Sequence, residues 1–309
     1  MGLAKDYSLA TMLTFPSILC PIDFSEESRN ALRWAVAMAM TFKGQVRALT
    51  AVQPLLAHAA EARFAVDLAQ ETEATLRDFV RTALPTAAWV PTVDGEVQVG
   101  DAPAVIIDAA ERGRADLIVM GTHGLGGVQK WLLGSTTERV LRKTRVPVLA
   151  VPGGAAAAAL DEAGPSFTLN AILVATDFSA PARAAVELAA GLGRDLGVAL
   201  IGLHAVAPAF VPVEWQTYVD VTDKERVTET GKQLEQWLRE FAPGIPGEVV
   251  VTVDRPADAI AATASEHGAG LIVMGLAGER GAFASRPGSI AYRVLSAARV
   301  PVLVVPAVD

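Results

Sequence analysis

Leu117-Ile118-Val119-Met120-Gly121 returns unchanged as Leu271-Ile272-Val273-Met274-Gly275, a shift of 154 positions (271 − 117). The same shift carries Asp23-Phe24-Ser25 onto Asp177-Phe178-Ser179, and Gly134-Ser135 onto Gly288-Ser289. It also carries Arg145-Val146-Pro147-Val148-Leu149 onto Arg299-Val300-Pro301-Val302-Leu303. No net insertion or deletion separates the first landmark from the last. A register held that long marks a duplicated domain and not a solenoid unit. The 309 residues suffice for two domains of ordinary size. The expected division is an extension over 1–16, a first domain over 17–153, a Gly/Ala-rich linker over 154–168 and a second domain over 169–309.

Each repeat alternates strand and helix patterns. In the first, residues 18–22 form a short apolar run, and Ser25 followed by Glu26-Glu27 reads as a helix cap with an acidic first turn. Ala31, Leu32, Ala35, Val36 and Ala39 then fall on one helical face, with Gly44 as a stop. Residues 46–52 read as a strand, 59–84 as one long helix ended by Pro85, and 96–99 as a third strand. Pro103 opens a helix, 117–120 form a fourth strand, Ser135 starts another helix, and 147–151 form a fifth strand. Buried Val/Ile/Leu runs joined by crossover helices predict a doubly wound, five-stranded parallel sheet, built twice.

Composition removes several function classes. The net charge of −8 and pI near 5.1 argue against a nucleic-acid binder with a basic face. Charged residues are 19% and mean hydropathy is +0.36, which excludes wholesale disorder. Four His and the single Cys20 leave little for a metal cluster, and one cysteine forms no internal disulfide. Cys20 lies in a strand, where an inert buried hydrophobe is the default. The longest uncharged apolar run, 146–160, is broken by Pro147, Pro152 and Gly153-Gly154, so no membrane span is expected. Residues 1–15 lack the apolar core and small-residue cleavage site of a secretion signal. The expectation is a soluble, cytoplasmic protein.

Open parallel sheets bind ligands at the carboxyl ends of their strands, where strand order reverses. Asp23 follows the first strand there, and Gly121-x2-Gly124-x9-Gly134-Ser135 follows the fourth. Glycines let backbone N–H groups approach phosphate oxygens, and a helix start adds free donors and a positive dipole end. The second repeat keeps the pattern as Gly275-x2-Gly278-x9-Gly288-Ser289.

Pro21-x-Asp23-Phe24-Ser25, Met120-Gly121-Thr122-His123-Gly124, the step to Gly134-Ser135 and the ending Val146-Pro147-Val148-Leu149 together resemble the universal stress protein family. The G-x2-G-x9-G-(S/T) spacing is similar to that of its ATP-binding branch, and the likeness runs from about Ser17 onward. The resemblance implies tandem Rossmann-like domains of the adenine nucleotide alpha hydrolase type. It further implies ATP as ligand, with Mg²⁺ on the phosphates, and a regulatory or stress-survival role. Asp23 would contact the ribose or adenine edge, with Pro21 and Val52 lining the adenine slot. Met120, Gly121, Gly124, Gly134, Ser135 and Thr136 would hold ribose and phosphates. In the second repeat Asp177, Val206, Met274, Gly275, Gly278, Gly288, Ser289 and Ile290 fall at those positions.

Blander readings compete. Asp23 and Asp177 could simply cap the following helix, but the glycine constellation faces the same end and favours ligand contact. His123 has no nucleophile or carboxylate beside it in the loop and reads as a solvent-facing histidine near phosphate. The second repeat has Leu276-Ala277 for Thr122-His123, adds Glu279, Arg280 and Arg286, and has Ala175 for Pro21, which makes its site the weaker one. A true ATPase or phosphotransferase would lean on Lys130 and His123, yet the P-loop pattern is absent, so at most slow hydrolysis is expected. A nucleotide-independent adaptor is the other alternative. A dinucleotide oxidoreductase is set aside, because no G-x-G-x-x-G turn follows the first strand.

The final strands of both repeats are apolar and would lie at sheet edges that need cover. In the resembling family such strands pair across a dimer, so the two repeats are expected to form an intramolecular pseudo-dimer. A homodimer of the tandem chain stays open as a further partnership. Expressed separately, residues 17–153 and 169–309 should self-associate in sedimentation experiments. Stable monomers of each would count against a strand-mediated contact.

Overall fold

The computed structural model describes residues 12–86, 90–123, 133–156, 158–161, 164–166, 169–208, 216–276 and 290–307. The chain divides into two compact units, one built on Thr14–Thr168 and the other mainly on Leu169–Ala298 with Val302–Asp309.

The first unit runs β1 (Ser17–Pro21), α1 (Glu26–Thr41), β2 (Gln45–Val52), α2 (Pro54–Phe64), α3 (Leu68–Ala83), β3 (Val93–Val99), α4 (Ala102–Arg112), β4 (Leu117–Gly121), α5 (Ser135–Lys143) and β5 (Val148–Val151). Its strands are all parallel in the order β3-β2-β1-β4-β5. Register is set by pairs such as Pro21↔Leu49 and Ile18↔Leu117. The order reverses between β1 and β4, so a crevice opens there at the carboxyl ends.

Ser25 caps α1 as read from the sequence, its side chain accepting from the Ser28 N–H at 3.1 Å, with Glu26 and Glu27 in the first turn. The predicted face, Ala31, Leu32, Ala35, Val36 and Ala39, is buried against the sheet. Burying a Leu or Val side chain contributes about 1.5–3 kcal/mol, so Leu32 and Val36 are large contributors to the packing of the helix on its sheet.

One expectation needs correction. The long helix over 59–84 is two helices, because Ala65 turns left-handed (φ 54°) and Asp67 caps α3, accepting from the N–H groups of Ala69 and Gln70. The periodic apolar pattern continued across the break and hid the cap. The linker stretch also carries structure that its Gly/Ala composition did not announce: β6 (Ala159–Asp161) and β7 (Gly164–Ser166) form an antiparallel ladder. Just before it, the carbonyls of Ala155 and Ala156 accept from Asn30 Nδ2 (3.2 Å) and Trp34 Nε1 (3.1 Å) of α1. The linker is thereby anchored to the first helix.

The second unit repeats the plan with β8 (Ala171–Ala175), α6 (Ala180–Leu196), β9 (Ala199–Val206), α7 (Gln216–Phe241), β10 (Gly247–Val253), α8 (Pro256–Glu266), β11 (Leu271–Leu276), α9 (Ile290–Ala297) and β12 (Val302–Pro306). Its parallel order β10-β9-β8-β11-β12 mirrors the first. Leu13 belongs with this unit: its N–H donates to Asp195 of α6 at 2.6 Å.

Two close packings invite measurement. A Cβ on Gly275 would sit 2.5 Å from the backbone carbon of Pro181 and 2.7 Å from the Ala182 nitrogen. Because backbone cannot step aside, Gly275→Ala should destabilise the chain by at least about 1–3 kcal/mol in chemical denaturation. Cys20 is wholly buried, which pushes its thiol pKa far up. A thiol reagent at mildly alkaline pH should therefore leave the native protein unlabelled and react fully only after denaturation.

Candidate functional site

The turn after β1 is built by its own side chains. Asp23 is exposed, and its Oδ1 accepts from both the Ser25 N–H (3.1 Å) and the Ser25 hydroxyl (2.5 Å). Asp23 therefore shapes the turn, while Ser25 performs the capping. Phe24 between them is held left-handed at φ 66°, and Phe178 repeats this at φ 62°. A bulky residue in that region is strained, and such strain persists only where the surroundings enforce it. Asp177 is likewise exposed and accepts from the Ser179 N–H at 3.0 Å.

Opposite this turn, β4 ends at Gly121, and Thr122 continues beside β5 through its N–H to the Val151 carbonyl at 3.1 Å. The Gly134 N–H donates to the Thr122 carbonyl at 2.8 Å, and Thr137 Oγ1 donates to the Gly121 carbonyl at 2.9 Å. These bonds seat the start of α5 at the end of β4. Arg139 adds a bidentate pair to Asp101, at 3.1 and 2.8 Å, which holds α5 from its outer face. Gly134 is the capping residue of α5 and offers no side-chain acceptor, so the first-turn N–H groups have no side-chain cap. Ser135 is exposed and Thr136 half-buried at this opening.

The apolar residues expected at the nucleotide are less displayed than their assignment implies. Val52 and Met120 retain only 7% and 4% of their surface, Val206 and Met274 5% and 6%. Their side chains belong to the core, so a ligand would meet mainly their backbone. Pro21 is half-buried at the end of β1. Ile290 opens α9 and is 46% exposed. Gly124, Gly278, Gly288 and Ser289 lie outside the described residues, as do Lys130, Glu279, Arg280 and Arg286.

His123 is not the solvent-facing side chain expected. It is half-buried, its Nδ1 lies 2.8 Å from the hydroxyl of the fully buried Thr122, and its Nε2 is buried without a hydrogen-bond partner among the described residues. The neighbouring Thr122 hydroxyl turns the ring inward, which no spacing rule announces. Thr137 was also missed, although it joins Val140 and Leu141 on a buried helical stripe. Glu27 is a third omission. Read from sequence as part of an acidic first turn, it also packs across the ends of β4 and β5: a Cβ on Gly121 would lie 3.0 Å from Glu27 Cβ, and one on Gly153 would lie 2.8 Å from its Oε1.

The second crevice differs in chemistry. His204 stands where the first repeat has Thr50; both tie β2 or β9 to the turn, Thr50 donating to the Ile22 carbonyl at 3.2 Å and His204 Nδ1 lying 2.8 Å from the Thr176 carbonyl. The Phe178 ring stacks on His204 at 4.8 Å and meets Trp237 edge-on at 5.4 Å. In the first repeat Phe24 packs edge-on against Phe79 at 5.6 Å. A cavity of about 540 Å³ under the end of α7, lined by Leu200, Leu238, Ile245 and Val249, opens at the amino ends of β9 and β10, away from the crevice. Among the described residues no group of three or more His, Cys, Asp or Glu is placed to hold a metal ion, and no helix is long and apolar enough to cross a membrane.

Comparison with known proteins accounts for this architecture. The profile of the Universal stress protein family matches residues 14–152 and again 168–306. A universal stress protein of Methanocaldococcus jannaschii is 32% identical over 142 residues, covering 44% of this chain and 82% of that protein. One from Mycobacterium tuberculosis is 25% identical over 320 residues, covering 93% of this chain and 94% of its own. Among solved structures, a universal stress protein from Archaeoglobus fulgidus superposes with a TM-score of 0.62 at 23% identity, over 94% of this chain and 98% of that one, and shares the fold. With both repeats matched across nearly their whole length, the chain belongs to the universal stress protein family and carries two of its domains in tandem.

Proposed function

We propose that the first repeat binds an adenine nucleotide, ATP with its Mg²⁺, and that the chain is a nucleotide-responsive regulator with at most slow hydrolysis. The observation that carries this reading is the start of α5. Gly134 caps it with no side-chain acceptor for the first-turn N–H groups, and the Ser135 hydroxyl stands exposed beside them. An uncapped helix start is suited to phosphate oxygens. Asp23 uses only Oδ1 within its own turn, which leaves Oδ2 for a ribose hydroxyl or adenine edge. Pro21 and Val52, with Met120 and Gly121, would floor the nucleoside part.

The second repeat, with its aromatic stack and the backbone of Pro181 pressed against Gly275, is proposed to bind more weakly. Asp177, Val206, Met274, Gly275 and Ile290 would still border its ligand. The acidic chain and its single, buried Cys20 suit a cytoplasmic setting.

The test is nucleotide content per chain in gently purified protein, followed by equilibrium dialysis against Mg-ATP. At least one adenine nucleotide per chain is expected. Asp23→Ala should weaken the tighter site by about tenfold, the scale of one charge-assisted hydrogen bond, while Asp177→Ala leaves that site unchanged. No bound nucleotide and no uptake of Mg-ATP would overturn the reading in favour of an adaptor.

A further inference from the structure

Each sheet has an outer strand at the same place in its order, β3 in the first unit and β10 in the second, and the two edges differ in chemistry. Among the described residues β10 pairs only with β9. The Pro246 carbonyl accepts from the Leu200 N–H at 2.9 Å, and the Asp254 N–H donates to the Val206 carbonyl at 3.1 Å. Along one strand of a parallel ladder, alternate residues bond to the same neighbour. Glu248, Val250 and Thr252 therefore turn their backbone groups towards β9, while Gly247, Val249, Val251 and Val253 turn theirs outward. That outward row is an unpaired template on a strand whose four valines are only half-buried. The matching edge is blunted. Where β10 has Val249 and Val250, the shift of 154 places Gly95 and Glu96 of β3, next to Asp94. Charged residues and glycine are devices by which natural edges resist pairing, and of these β10 keeps only Gly247 and Glu248 at its start.

We propose that β10 is a self-association edge, on which a second copy of this chain adds its own β10 antiparallel and extends the sheet across a two-fold axis. Such an isologous pair is defined by the residue at its centre. Centred on Val250, it sets Val249 against Val251 of the second copy and Gly247 against Val253. Every outward residue then sits in a pair that exchanges two hydrogen bonds. Between these pairs Val250 meets its own copy and Glu248 faces Thr252, with no like charges opposed. A centre at Val251 would set Glu248 against Asp254, and a centre at Val249 would leave Val253 beyond the end of the facing strand. Charge and length thus select one register. The same register laid on β3 would bring Glu96 against itself, which opposes pairing at that edge. An interface one strand wide is small beside that of an obligate dimer, so the association is concentration-dependent.

Sedimentation equilibrium of the full chain tests this. Its average mass should rise with concentration from 32.3 kDa towards twice that value. Val250→Glu, which gives this edge the charge that Glu96 gives the other, should raise the concentration needed for pairing by about tenfold or more. Val251→Pro removes an outward N–H without touching the ladder to β9, and should weaken pairing likewise. Circular dichroism checks that both variants fold. On mild oxidation Val250→Cys should give a disulfide-linked dimer, because facing residues at a non-hydrogen-bonded position lie about 4.5 Å apart, within the span of about 4.4–6.8 Å that disulfides bridge. Thr252→Cys, which faces Glu248 of the second copy, should not, and Cys20 is buried and takes no part. A chain that stays monomeric at every concentration overturns the proposal. So does a dimer that neither edge variant weakens and Val250→Cys fails to link, since another face then carries it.

Discussion

A helix can begin directly over the end of a neighbouring strand only if the strand residue beneath it carries no side chain. In the second repeat the Pro181–Ala182 backbone occupies the space that a Cβ on Gly275 would fill; in the first, Glu27 does so over Gly121. That close approach sets where α1 and α6 start, and so where the Asp23 and Asp177 turns must bend. The left-handed Phe24 and Phe178 follow from the same tightness: the chain leaves β1 or β8 and has only a few residues in which to reverse into a helix. Gly121 and Gly275, which belong to the phosphate-binding pattern of the sequence, are thus first of all packing positions.

The crevice is closed on its far side by backbone bonds more than by side chains. Gly134 to Thr122, Thr137 to Gly121 and Thr122 to Val151 tie α5, β4 and β5 together at one point. Each bond satisfies a group that would otherwise be buried and unpaired, which makes the arrangement hard to loosen one bond at a time. Gly134 supplies no side-chain cap of its own to the first turn of α5.

Duplication has left two copies under different constraints. The same cross-strand tie is made by Thr50 in one and His204 in the other, and the Phe after the Asp rests on one aromatic ring in one and between two in the other. Glu27 against Pro181 changes the charge in the first turn of the helix. These exchanges leave the sheet untouched because they lie at the carboxyl ends, beyond the buried strand segments that hold it together.

The sequence by itself determined the duplication and the doubly wound sheet, and it pointed to the carboxyl ends of the strands as the place for a ligand. Those depend on register, on apolar runs and on local signals such as Ser25 at a helix start, all of which are written in neighbouring residues. It read α2 and α3 as one helix because an apolar period does not reveal a single left-handed Ala65. Only the tertiary structure turned His123 inward onto Thr122, anchored the linker to Asn30 and Trp34, and laid Glu27 across Gly121 and Gly153. Apart from the adjacent Thr122 and His123, those contacts join residues far apart along the chain, and no local pattern encodes which side chain will cover which glycine once the sheet has closed.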